Sequence, residues 1–274
     1  MAQFWTSHLG LLVGCEIVTL VALILFIIAL CAGISRGSLE RLAMFTVDTS
    51  SLTSTTSTSA LAIKEWYEVH YLSICSGMWN GHVASAGKNH STISCTSQSA
   101  GYTFSLAQII GGGDAGQQLL LAYHHRTLDT KAPFVLLVLG IASMGLTVLS
   151  FLYGIVALRT KTRRRQLHKK EMPLVVLRIG FFACIASTIL LTISSAKVTA
   201  SAGKMTGRVQ IGGGRAIHAW MNSGFYAVTW IGMAFVWVAL GLEIAAAFKI
   251  AAVLEPRGMQ AAEVGSEGGY KLAG

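Results

Sequence analysis

The chain has 274 residues, 53% of them hydrophobic and 12% charged, with a net charge of +9 and a mean hydropathy of +0.59. Soluble globular domains carry about a quarter charged residues, so the composition excludes a soluble enzyme and a single large water-soluble core. The length excludes a secondary transporter built from two inverted repeats, and the positive balance does not indicate nucleic acid, because it gathers in one short segment between apolar blocks.

Four blocks are almost free of charge: 17–35, 132–158, 179–196 and 216–242. Each is long enough to cross ~30 Å of hydrocarbon at about 1.5 Å per residue. The expected fold class is therefore an all-α membrane bundle of four transmembrane helices with a small β-containing extracellular domain. The first eight residues form a short lead, and residues 9–34 form the first span, with Glu16 inside it. This block lacks a basic region before it, and its apolar run is too long for a cleaved signal, so it reads as a retained anchor.

Residues 35–131 form a large loop. Leu42 to Asp48 has the β-branched and aromatic content of a strand. A Ser/Thr tract follows at 49–59 and reads as a flexible or O-glycosylated loop. The aromatic segment 64–79 reads as strand near Cys75, and Ser94 to Ser105 as another strand. Asn89-His-Ser91 is an N-glycosylation sequon. Gly111 to Gly116 formally matches G-x-G-x-x-G, but no strand–turn–helix unit surrounds it, so it reads as a hinge. Asp114 and Gln117 have capping-box spacing, which predicts a helix over 115–126. Five histidines, His70, His82, His90, His124 and His125, lie in this loop. They titrate near neutrality, but none has zinc-finger spacing with the cysteines, and they read as packed or solvated loop residues.

The second span is expected over 132–158. The basic segment 159–172 follows, with Arg159, Lys161, Arg163, Arg164, Arg165, Lys169 and Lys170 against the single acid Glu171. Basic residues in short loops stay on the cytoplasmic side, so both termini are expected there. The third span is expected over 173–196, an outer loop over 197–215, the fourth span over 216–248 and a tail without regular structure over 249–274. Gly224, Gly232, Ala239, Gly241 and Ala245 would allow close helix approach in the fourth span, within the bundle or between copies.

Five cysteines divide by position. Cys15, Cys31 and Cys184 lie in spans. Cys75 and Cys95 are the two in the large outer loop, where the compartment is oxidising, so they make one pair.

The outer loop resembles that of the fungal Sur-seven/PalI tetraspan family, whose architecture is claudin-like. The resemblance rests on Val47-Asp-Thr-Ser50 after the first span and on Trp66-Tyr-Glu-Val-His-Tyr-Leu-Ser-Ile-Cys-Ser-Gly77. It rests also on Cys95-Thr-Ser-Gln-Ser-Ala-Gly-Tyr-Thr-Phe104 and on the amphipathic lead into the second span. Gly77-Met-Trp79 follows the first cysteine, unlike the claudin arrangement, and the short tail favours the Sur-seven side. The resemblance implies residence in plasma-membrane microdomains of eisosome type, with roles in membrane organisation, cell-wall integrity and endocytosis. It implies no enzymatic activity, metal or cofactor. Partners would be membrane lipids, anionic ones facing the basic segment, and neighbouring membrane proteins or further copies of the chain. The alternative role in the family is an accessory of ambient-pH sensing.

Three charges fall inside spans: Glu16, Arg178 and Glu243. Counting along each helix from its entry point places all three in the cytoplasmic leaflet. Arg178 is expected either to pair with one of the carboxylates or to snorkel to lipid phosphate. The basic segment is expected to contact anionic lipid, at about 1 kcal/mol per residue near the surface. Neutralising Arg163, Arg164 and Arg165 together should weaken phosphoinositide binding by the purified protein in a vesicle-flotation assay. Unchanged binding would leave these residues with a topological role alone.

Overall fold

A computed structural model describes residues 2–34, 39, 42–51, 64–79, 90–97, 99, 101–105, 127–163, 172–212 and 217–267. Four helices within it are long and apolar enough to cross a membrane. They are α1 (Ala2–Cys31), α2 (Lys131–Arg163), α3 (Met172–Gly212) and α4 (Ser223–Glu267). The most extensive helix contacts are α2 with α3 and α1 with α4. On α1, Ala22, Phe26 and Ala29 are buried, whereas Val13, Ile17, Leu20, Ile24 and Ile27 are exposed. One helix face is thus spent on the bundle and the other is left for lipid.

The strands are β1 (Phe45–Asp48), β2 (Trp66–Val69), β3 (Ile74–Trp79), β4 (His90–Cys95), β5 (Thr103–Ser105), β6 (Thr127–Asp129) and β7 (His218–Met221). Five of them form one antiparallel sheet in the order β4-β3-β2-β1-β7, and β5 pairs with β6 separately. The alternation of side chains sorts the sheet into two faces. Phe45, Val47, Tyr67, Val69 and Ala219 share one face by register. All five belong to the same buried cluster as Phe26, Leu137, Leu191, Val198, Ala202 and Met205 from the helices. The core of the sheet and the core of the bundle are therefore continuous. The other face carries Thr46, Asp48, Trp66, Glu68, Cys75 and Trp220.

Cys75 and Cys95 are disulfide-bonded, directly opposite each other on β3 and β4. Thr96 N–H donates to the Ile74 carbonyl one step away, so the cysteines occupy the non-hydrogen-bonded site, where antiparallel strands come closest. Their Cα atoms are 4.0 Å apart, closer than the ~4.4–6.8 Å usual for a disulfide.

Several element boundaries differ from those expected. The third helix does not stop at 196. It continues to Gly212 because Val198, Ala202 and Met205 fall on one face and bury against the sheet. Residues 218–221, expected at the start of the fourth span, form β7, paired with β1. Asn222 then caps α4, its side chain accepting the Gly224 N–H at 3.1 Å. The tail expected to lack regular structure is helical as far as Glu267, in keeping with its Ala, Glu, Met and Gln content. The strand expected over 94–105 is two strands, β4 ending at Cys95 and β5 beginning at Thr103. The helix expected over 115–126, the glycine-rich segment 111–116 and Asn89 lie outside the described residues.

The bridge closes a loop of 20 residues of sequence separation, which the chain-entropy account values at about 3 kcal/mol. The double variant C75S/C95S should unfold at a lower temperature than the wild type. Reductant should lower the wild-type midpoint and leave that of the variant unchanged.

Candidate functional site

Two polar clusters stand out, one where the sheet meets α1 and one inside the bundle. The first is built around the β2–β3 turn. His70 N–H donates to the Ser73 carbonyl at 3.0 Å and closes the turn. Ser73 Oγ donates to the Gly33 carbonyl at 2.7 Å, tying the turn to the end of α1. Gly33 has φ +80°, and a Cβ there would lie 2.4 Å from His70 Cγ. Only glycine combines that backbone with that approach. His70 is buried, with Nε2 3.9 Å from Glu68 Oε2. Tyr102 donates its hydroxyl to the carbonyls of His70 and Ser73. Burial pushes the Tyr102 phenol far above its ordinary range, and the hydrogen bond to His70 only partly offsets this. Tyr71, in the same turn, packs its ring 5.7 Å from that of Phe225 on α4. The joint therefore ties α1, the sheet and α4 together.

Above the joint, Trp79 stands 6.3 Å from both Trp66 and Trp220, centroid to centroid. Its indole N–H donates to Asp48 Oδ1 at 3.3 Å, and its backbone N–H to Glu65 Oε2 at 2.7 Å. These contacts hold β3 against the β1–β2 loop side of the sheet.

The second cluster joins α1, α3 and α4. Cys15, Glu16 and Thr19 of α1, Cys184, Ser187 and Thr188 of α3 and Glu243 of α4 are all buried. The Cys15 thiol lies 3.6 Å from both Glu243 Oε1 and the Ala239 carbonyl. Cys184 is also close enough to Glu243 to interact with it. Thr19 and Thr188 turn their hydroxyls back to the carbonyls of Cys15 and Cys184, as hydroxyl residues in apolar helices do. On the α2 side, Thr147 lies 3.4 Å from the Gly180 carbonyl of α3. Gly180 approaches so closely that an added Cβ would sit 3.0 Å from Ser150 Cβ.

Of the three intramembrane charges expected together, Glu16 on α1 and Glu243 on α4 are both buried. Arg178 is not. It is exposed on α3 and makes no ion pair with either carboxylate. The rotation of α3 turns Arg178 outward. Arg159, Lys161 and Arg163 lie on the last turns of α2, and Arg164, Arg165, Lys169 and Lys170 are outside the described residues. Among the fourth-helix small residues, Gly232 packs on Phe26 and Ala239 is buried, while Gly241 and Ala245 face outward. Among the described residues, no group of three or more His, Cys, Asp or Glu is arranged to hold a metal ion. Sequence reasoning passed over Cys15, Cys184 and Gly33. The adjacency of Cys15 to Glu16 was the one available signal for the first.

Replacing Gly33 with alanine should destabilise the fold by more than about 1 kcal/mol, because strain and collision with His70 act together. Thermal unfolding in detergent would show it. A serine-to-alanine change at Ser73 should cost about 1 kcal/mol through its lost hydrogen bond.

The profile of the SUR7/PalI family matches residues 15–242 of the chain. No curated protein and no solved structure matches it. The matched region runs from the first helix to the fourth and contains the whole sheet. The four spans, the disulfide-bonded sheet between the first two helices and this match over most of the chain establish that the protein is a multi-pass membrane protein of the SUR7/PalI family.

Proposed function

We propose that the protein is a non-enzymatic organiser of a plasma-membrane microdomain of eisosome type, supporting cell-wall integrity or endocytosis. Membership of the SUR7/PalI family carries this reading. The surface chemistry agrees with it. Large apolar side chains face outward on all four spanning helices, among them Ile17, Leu149, Phe182 and Trp237, so each helix offers a face to lipid or to a neighbouring membrane protein. With the basic segment 159–172 on the cytoplasmic side, the termini are cytoplasmic and the sheet faces outward. Anionic inner-leaflet lipid is then the natural partner of that segment.

A second reading, an accessory of ambient-pH sensing, is favoured by one observation. His70 is buried at the joint between sheet and bundle, 3.9 Å from a buried carboxylate, and imidazole changes charge near neutrality.

Fluorescence imaging of the tagged protein at the cell surface separates the two. A microdomain organiser gives stable patches whose number is unchanged by external pH and by H70Q. A pH-sensing accessory gives a diffuse signal together with a response to alkaline medium that H70Q abolishes. A diffuse signal with no such response would dispose of both.

A further inference from the structure

We propose that Lys197, Lys204 and Arg208, on the part of α3 that rises beyond the hydrocarbon, form a binding stripe for an anionic polysaccharide outside the membrane. The proposal rests on the topology in which the sheet faces outward and is independent of the microdomain role. The three bases follow one another at intervals of seven and four residues, which places them within about 40° of each other around the helix. All three are exposed. The opposite face of the same turns, with Val198, Ala202 and Met205, is buried in the cluster that includes the sheet. Between the bases stand the small residues Ala200, Ser201 and Gly207, and a Cβ added at Gly207 would meet no atom within 4 Å. The charged heads therefore project from an open helix surface.

Their charge is not neutralised locally. The whole of α3 carries Arg178 and these three bases and no acid, so no i,i+3 or i,i+4 ion pair can form along it. Lys204 and Arg208 instead make a like-charged i,i+4 pair, which disfavours an isolated helix. Among the described residues, no acid from another element forms an ion pair with any of the three. β6 touches α3, but its Asp129 accepts the backbone N–H of Lys131 at 2.9 Å. The helix dipole does not account for the stripe, because its effect is confined to the last turn and no base lies there. Topology does not account for it either, since the positive-inside rule favours bases at the other end of the helix. A lipid headgroup fits only the lowest base. Lys204 and Arg208 lie about 10 and 16 Å farther along the axis than Lys197, whereas a headgroup layer is roughly 5–8 Å deep. An acidic protein would find no aromatic or large apolar anchor between the bases. A linear polyanion needs none, and a chain with an anionic group on each repeat can meet all three heads in turn.

The test uses the full chain in nanodiscs of neutral phosphatidylcholine, with dextran sulfate as the probe and uncharged dextran as its control. Binding is measured across a salt series. The wild type should bind dextran sulfate and not dextran. The variant K197Q/K204Q/R208Q should bind more weakly, with a slope of log affinity against log salt shallower by about 2–3. Each single Gln variant should lower that slope by about one, so the singles decide the matter even if the triple variant does not fold. The same losses should appear in an R163Q/R164Q/R165Q background, which weakens any contribution from the opposite side of the membrane. Unchanged affinity and slope in the α3 variants overturn the proposal. So does tighter binding of polyglutamate than of dextran sulfate, or retention of an anionic phospholipid by the same three bases without polysaccharide binding. Labelling of K204C on intact cells with a membrane-impermeant maleimide reads the topology separately. A labelled K204C without polysaccharide binding in nanodiscs rejects the stripe and keeps the outward sheet. An unlabelled K204C with such binding rejects the outward sheet, and the proposal with it.

Discussion

The arrangement depends on the burial of the apolar face of the sheet against the upper turns of α3. Phe45, Val47 and Val69 have no exposed surface, and they share a cluster with Val198, Ala202 and Met205. A four-residue strand such as β1 or β2 cannot stand alone in water. Here each gains a helix to pack on, and fully burying a side chain such as Phe45 contributes about 1.5–3 kcal/mol. The third candidate span covers 34 residues, which is about 51 Å of helix against ~30 Å of hydrocarbon. The surplus provides the platform for the sheet.

The opposite end of the bundle is governed by different physics. Without a hydrophobic drive between helices in lipid, association relies on close packing and polar contacts. Gly180 against Ser150 provides the first and Cys15 with Glu243 the second. Specific polar contacts at one end and broad apolar burial at the other fix both ends of the α1–α4 pair. The outward faces of the helices keep large apolar side chains exposed, among them Ile17, Leu149 and Trp237.

Much of this was legible from residue order. The charge-free blocks gave the four spans, and the split of cysteines between spans and loop gave the disulfide. What the sequence hid has physical causes. Lys197, Lys204 and Arg208 interrupt the apolar block of α3 and look like a loop, yet they lie on a helix whose other face is apolar. Ala216 to Met221 is apolar enough to merge with the fourth span, although β1 pairs with His218 to Met221. Arg178 takes the outward of its two expected orientations, because helix rotation depends on packing that composition does not encode. Gly33 was invisible because its role lies in a contact with His70, far along the chain.

The pairing of β1 with β7 has a consequence for biogenesis. β1 emerges directly after the first span, but its partner on one side is made only after the third. Until then β1 is an open edge, with unpaired backbone groups along that side. The sheet is therefore completed late, by the short strand β7 between the last two helices. A chain that stops before that strand displays an unfinished edge. The strand that completes the sheet thereby makes its folding depend on the placement of the third and fourth helices.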